Sequence, residues 1–141
     1  TWKRLAHVGD RTGLEMIRLS NQIIDEAVSQ HPQPSEQLKS IVMQASQMGE
    51  RFHFFMHAAE EIEYEIFGPM IQGLDDKMTE IIEALRNEGL ISKGMPNAWI
   101  LHLYGGILTA AWSSMRDGAV APRDIPTLAW QSFAQGILID E

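Results

Sequence analysis

A chain of 141 residues with 45% hydrophobic and 21% charged side chains has the composition of one ordinary globular domain. That excludes a disordered tail and a collagen-like rod, and the absence of cysteine excludes a disulfide framework and a thiolate zinc site. The formal net charge is −8, from 19 acids against 11 bases, so this chain by itself is expected to bind nucleic acid poorly, because binding phosphates requires surplus cations.

The first eleven residues run against that balance, with Lys3, Arg4 and Arg11 set against Asp10 alone. The chain opens on threonine without a signal-peptide pattern. We therefore expect residues 1–10 to be the remnant of a more basic segment lying upstream, residues 11–141 to form the domain proper, and the location to be cytoplasmic.

From about Arg11 to Ser29, Leu14, Ile17, Ile24 and Val28 recur at helical spacing, with Met16, Leu19 and Ile23 widening the stripe, and Pro32 and Pro34 end the segment. Ser35 is placed to cap a second helix whose stripe is Leu38, Ile41, Val42, Ala45 and Met48. After Gly49 comes a short segment, 51–59, apolar nearly all round and therefore expected to be buried on several sides. Gly68-Pro69 is expected to break the chain before a third long helix carrying Ile71, Leu74, Met78, Ile81, Ile82 and Leu85, closed by Gly89. The stretch from Met95 to Met115 is free of acidic and basic side chains apart from His102. It is too polar to cross a membrane and reads as a buried helix, stopped at Asp117-Gly118. Asp124 and Pro126 then open a last helix containing Leu128, Ala129, Phe133 and Ile137. No alternating strand pattern occurs, so the expected fold is an all-α bundle of about six helices.

Several patterns resemble the tetracycline-repressor (TetR) family of transcriptional regulators. Asn87-Glu88-Gly89-Leu90-Ile91, a turn and Pro96 precede a helix of small and aromatic residues, Tyr104-Gly105-Gly106-Ile107-Leu108-Thr109-Ala110-Ala111-Trp112. Asp117-Gly118 follows, then Trp130-Gln131-Ser132-Phe133-Ala134-Gln135-Gly136-Ile137. At the other end, His7-Val8-Gly9-Asp10-Arg11 with Gly13-Leu14 is similar to the family's junction between recognition helix and connecting helix. The resemblance implies a regulatory domain of the TetR C-terminal type, with no enzymatic activity and no cofactor. It implies a homodimer whose last two helices form a four-helix interface, and a DNA-binding helix-turn-helix head, mostly absent here, that grips successive major grooves. It further implies a small-molecule effector that alters head spacing, most often to relieve repression.

For the interface, the low relief around Gly106 and Ala110, with Phe133 and Ile137 from the last helix, is the expected contact. For an apolar effector pocket, Phe52, Phe55, Met56, Tyr104, Trp112 and Met115 are large and adaptable, and His57, His102 and Tyr104 offer polar groups that fix orientation. A different chemistry is carried by His53, His57 and Glu61 at i, i+4 and i+8, with Glu60 and Glu63 beside them: a His/carboxylate metal-binding bundle. The same residues also suit a solvated helix face. No nucleophile elbow, phosphate loop or Ser-His-Asp set is recognisable.

Overall fold

The computed structural model describes residues 2–49 and 64–139, with side chains over 13–49 and 67–139. These residues form an all-α multi-helix bundle: α1 (Trp2–Gln30), α2 (Pro34–Ala45), α3 (Tyr64–Asn87), α4 (Asn97–Asp117), a 3-10 turn (Pro122–Asp124) and α5 (Ile125–Ile137). The expected helix over 51–59 lies outside the described residues.

No proline occurs in α1, and the helix ends just before Pro32. It also begins far earlier than the hydrophobic stripe suggests, running unbroken through the junction expected at residue 10. Its buried face overlaps the expected one but is turned from it. Met16, Ile17, Ile24 and Ala27 are buried, whereas Leu14 and Val28 are 46% and 48% exposed. The helix is rotated so that the small Ala27 lies against the core, and Leu14 and Val28, two residues of the expected stripe, face outward.

Helix α2 starts at Pro34, not after a Ser35 cap; Gln33 occupies the cap position without a side-chain bond. Pro34 arrives with its φ already helical and no N–H of its own to satisfy, which favours a start at that position. Its expected face, Leu38, Ile41, Val42 and Ala45, is buried. Pro69 lies inside α3 and does not break it. It removes one hydrogen bond near the helix start, and the apolar stripe from Leu74 to Leu85 holds the remainder in place. Gly89 adopts φ 76° and closes α3 with two bonds, Gly89 N–H to the Arg86 carbonyl at 2.9 Å and Leu90 N–H to the Leu85 carbonyl at 3.0 Å. Gly118 (φ 67°) ends α4 in the same way, through Met115 and Ser114.

Polar clamps fix the joints. Arg86 donates to the Met95 carbonyl (2.8 Å) and to Asn97 Oδ1 (2.6 Å), and Asn97 Nδ2 donates to Glu83 (2.6 Å), so the end of α3 holds the start of α4. Ser92 N–H bonds the Ile137 carbonyl and Ile139 N–H the Leu90 carbonyl, pinning the end of α5 to the α3–α4 turn. Lys77 reaches Asn21 and Asp25 across to α1; being exposed, that pair contributes ~1 kcal/mol at most.

The interior divides into two packed clusters. One gathers Ile24, Leu38, Ile41, Ile82, Leu85, Ile100, Phe133 and Ile137 among others. The second gathers Met16, Ile17, Ala45, Phe67, Leu108, Ala111, Trp112 and Ile125. Leu74 and Tyr104 pack against both.

A Cβ at Gly118 would meet nothing within 4 Å, so Gly118→Ala isolates the cost of a left-handed backbone. We expect about 1 kcal/mol of destabilisation, seen as a lower urea midpoint with unchanged slope. An unchanged midpoint would contradict this account of how α4 ends.

Candidate ligand-binding site

The hollow of interest lies where the two clusters fail to meet. It has a volume of about 270 Å³ and is walled by Met16, Ser20 and Ile24 of α1, by Met48, by Ile71, Leu74, Asp75 and Met78 of α3, and by Leu101, Tyr104, Gly105, Leu108 and Trp112 of α4. Residues three or four apart on each helix place these side chains on one face. Gly105, lacking a side chain, adds to the room.

Two of the expected pocket residues stand in this wall. Trp112 is 1% exposed, and its indole N–H donates to the Ala45 carbonyl at 3.1 Å. Burial of that size makes it a pillar of the core as well as a wall of the hollow, so its removal would cost stability before it reported on any ligand. Tyr104 meets Phe133 edge-on, with ring centroids 6.0 Å apart and planes at 80°. Burial of its hydroxyl pushes the phenol pKa far above its ordinary range. Met115 packs instead on the second cluster, away from the hollow. His102 is exposed on α4 and does not line it. Phe52, Phe55, Met56 and His57 lie outside the described residues, as do His53, Glu60, Glu61 and Glu63. Among the described residues no group of three His, Asp or Glu side chains is placed to hold a metal ion.

The sequence reading missed Ser20 and Asp75. Both sit at core-facing register, three to four residues from Met16, Ile24, Ile71 and Met78, but polar residues in amphipathic helices read as solvated. Asp75 is half-buried, and loss of water around its carboxyl raises its pKa; the charge of Asp76 adds to the rise and His102 opposes it. Among the described residues, no hydrogen bond or ion pair engages the Asp75 carboxylate, the Ser20 hydroxyl or the Tyr104 hydroxyl. The hollow therefore joins a mostly apolar lining to three polar groups with free hydrogen-bonding capacity, and among the described residues no Lys, Arg or His lines it.

The expected interface residues separate into two kinds. Gly106 and Ala110 are exposed on α4. Phe133 and Ile137 are 0% exposed within the single chain, so they belong to its own core and have no surface to offer a partner. The outward face of α5 is instead Thr127, Leu128, Gln131, Ser132 and Gln135. A groove between α4 and α5, lined by Ile107, Ala110, Ser114, Val120, Leu128 and Ser132 among others, runs along this side.

Comparison with protein-family models, with curated proteins and with solved structures finds no match to this chain. No helix among the described residues is long and apolar enough to cross a membrane.

The raised pKa of Asp75 has a measurable consequence. Its folded form holds a proton more readily than the unfolded chain, so its contribution to stability falls as pH rises through that interval. Asp75→Asn should therefore unfold at a higher temperature than the parent at neutral pH, with the difference closing in acid once the carboxyl is protonated in both states. A variant less stable at neutral pH would show that Asp75 makes a favourable interaction outside this account.

Proposed function

We propose that this chain is the regulatory and dimerisation domain of a TetR-type transcriptional regulator, in which a small molecule held in the hollow controls a DNA-binding head joined ahead of α1. The observation that carries this reading is the make-up of the wall. Met16, Ser20 and Ile24 belong to the helix that leads back to Trp2, and they face Tyr104 and Trp112 across the hollow. An occupant would touch the connecting helix directly, and a shift of that helix moves whatever precedes it. Most proteins of this design repress; the occupant would then release DNA.

The twofold partner in this reading is a second copy seated on α4 and α5. That side is almost free of charge. Between Asn97 and Met115 the chain has no acidic or basic residue except His102, and between Ile125 and Ile139 it has none, although 30 residues of the whole chain are charged. Yet Trp99 and Leu128 are 60% and 46% exposed there. Loss of charge from an exposed apolar face is the compositional mark of an interface core. Small residues at Gly106 and Ala110 permit close helix approach.

Two measurements test the proposal. Sedimentation equilibrium at micromolar concentration should return twice the chain mass, and Ala110→Glu with Leu128→Glu should return the monomer with its helical content kept. A monomeric parent overturns the dimer. Second, the protein carrying its upstream segment should bind operator DNA and release it on effector addition, whereas Leu74→Phe, which fills the hollow, should bind DNA but no longer release it. Release unaffected by that substitution removes the hollow from the mechanism.

A further inference from the structure

The polar groups of the hollow carry a sign. Among the described residues, Asp75 is its one carboxylate and no basic side chain lines it. The Asp75 carboxylate accepts hydrogen bonds, the Ser20 and Tyr104 hydroxyls accept or donate them, and the rest of the lining is methionine, leucine, isoleucine, tryptophan and Gly105. An anionic ligand would bring a further negative charge beside the carboxylates of Asp75 and Asp76, opposed among the described residues only by the exposed His102, in a setting where like charges repel more strongly than in water. A neutral hydrocarbon would leave Asp75 and Tyr104 without partners, at the cost of desolvated polar groups. From these placements we infer that the ligand is a lipophilic amine: an apolar body lodged among Met16, Met48, Met78 and Leu108, with its ammonium group against the Asp75 carboxylate and the Tyr104 hydroxyl.

The chemistry is self-consistent. An ammonium beside Asp75 replaces the lost water and holds the carboxylate ionised, reversing the strain that burial and the neighbouring Asp76 place on it. Three methionines in the wall accommodate bodies of varied shape, since their thioether chains repack with little penalty. The aromatic faces of Tyr104 and Trp112 suit a cation as well as an apolar group. A volume of about 270 Å³ limits the occupant to a small molecule.

The inference rests on the hollow being a ligand site, and the experiment separates the two claims. Phenethylamine, phenethyl alcohol and hydrocinnamate present one hydrocarbon body with a cationic, neutral or anionic end. Each is titrated into the full chain at neutral pH by calorimetry, with tryptophan fluorescence as a second readout because Trp112 forms part of the wall. The amine should bind at least tenfold more tightly than the alcohol, and hydrocinnamate most weakly. Asp75→Asn should lower the amine-to-alcohol affinity ratio by about tenfold, equivalent to ~1.4 kcal/mol. Asp76→Asn, which removes the same charge from an exposed carboxylate bonded to Gln72, should change that ratio far less than Asp75→Asn does. Hydrocinnamate binding as tightly as the amine, or an unchanged ratio in Asp75→Asn, overturns the amine inference while leaving the hollow as a binding site. Failure of all three probes to saturate the protein, with no fluorescence change, overturns the hollow itself.

Discussion

Trp112 closes this bundle. Its ring is buried among residues from α1, α2, α3, α4 and the start of α5, and its indole N–H ends on the carbonyl of Ala45, where α2 finishes. A buried Trp replaced by alanine costs about 3–5 kcal/mol, a large share of the stability of a domain this size. The hydrogen bond also sets an orientation: the indole points its nitrogen at the end of α2, and the same residue lines the hollow. Tyr104, two turns earlier on the same face, then lies between the clusters with its ring against Phe133. One helix thus supplies both the post that holds the second cluster together and the wall that keeps it from fusing with the first.

The hollow follows from that separation. Leu74 and Tyr104 touch both clusters but do not fill the space between them, and Gly105 lines that space without a side chain. Protein interiors are usually packed to crystal density, so a gap of this size bordered by polar groups marks a place where stability has been given up. The raised pKa of Asp75 is the same compromise in electrostatic form: a carboxylate kept partly out of water beside Asp76, with His102 offsetting only part of the cost.

Local rules made much of the fold legible. Gly89 and Gly118 were readable as helix ends because few other residues tolerate a left-handed backbone, and the bounds of α4 and α5 followed from Pro96, Asp124 and Pro126. The face of α2 was legible because a one-sided stripe admits one packing. Expectation failed where two rules competed. Pro34 outweighed Ser35 at the start of α2, Pro69 was carried inside α3 by the stripe after it, and α1 turned Leu14 and Val28 to solvent while burying Ala27. The site was harder to read. Tyr104 and Trp112 stood out as aromatics, but Ser20 and Asp75 are polar residues on amphipathic helices, which sequence alone assigns to the surface. Their placement depends on how α1, α3 and α4 meet, and those helices are far apart in the chain. Phe133 and Ile137 misled for the converse reason: an apolar face of α5 does not say whether it packs inward or on a partner.

On the proposed function, α4 is where the two events would meet. Its inner face carries Tyr104, Leu108 and Trp112 onto the hollow, and its outer face carries Gly106 and Ala110 onto the uncharged side. An occupant that shifts α1 relative to α4 would therefore shift the connecting helix relative to the twofold axis, and head spacing would change without α4 and α5 having to repack. The clamps support that division. Arg86 with Asn97, and the bonds between Ile137, Ser92, Leu90 and Ile139, lock α3, α4 and α5 to one another, whereas α1 is held to α3 by the exposed Lys77 pair and by side-chain packing. Coupling of this kind is limited to the ligand's preference for one arrangement over the other, commonly 1–3 kcal/mol. Packing, more than polar clamps, holds α1, and the clamps at the other joints would direct the movement into that helix.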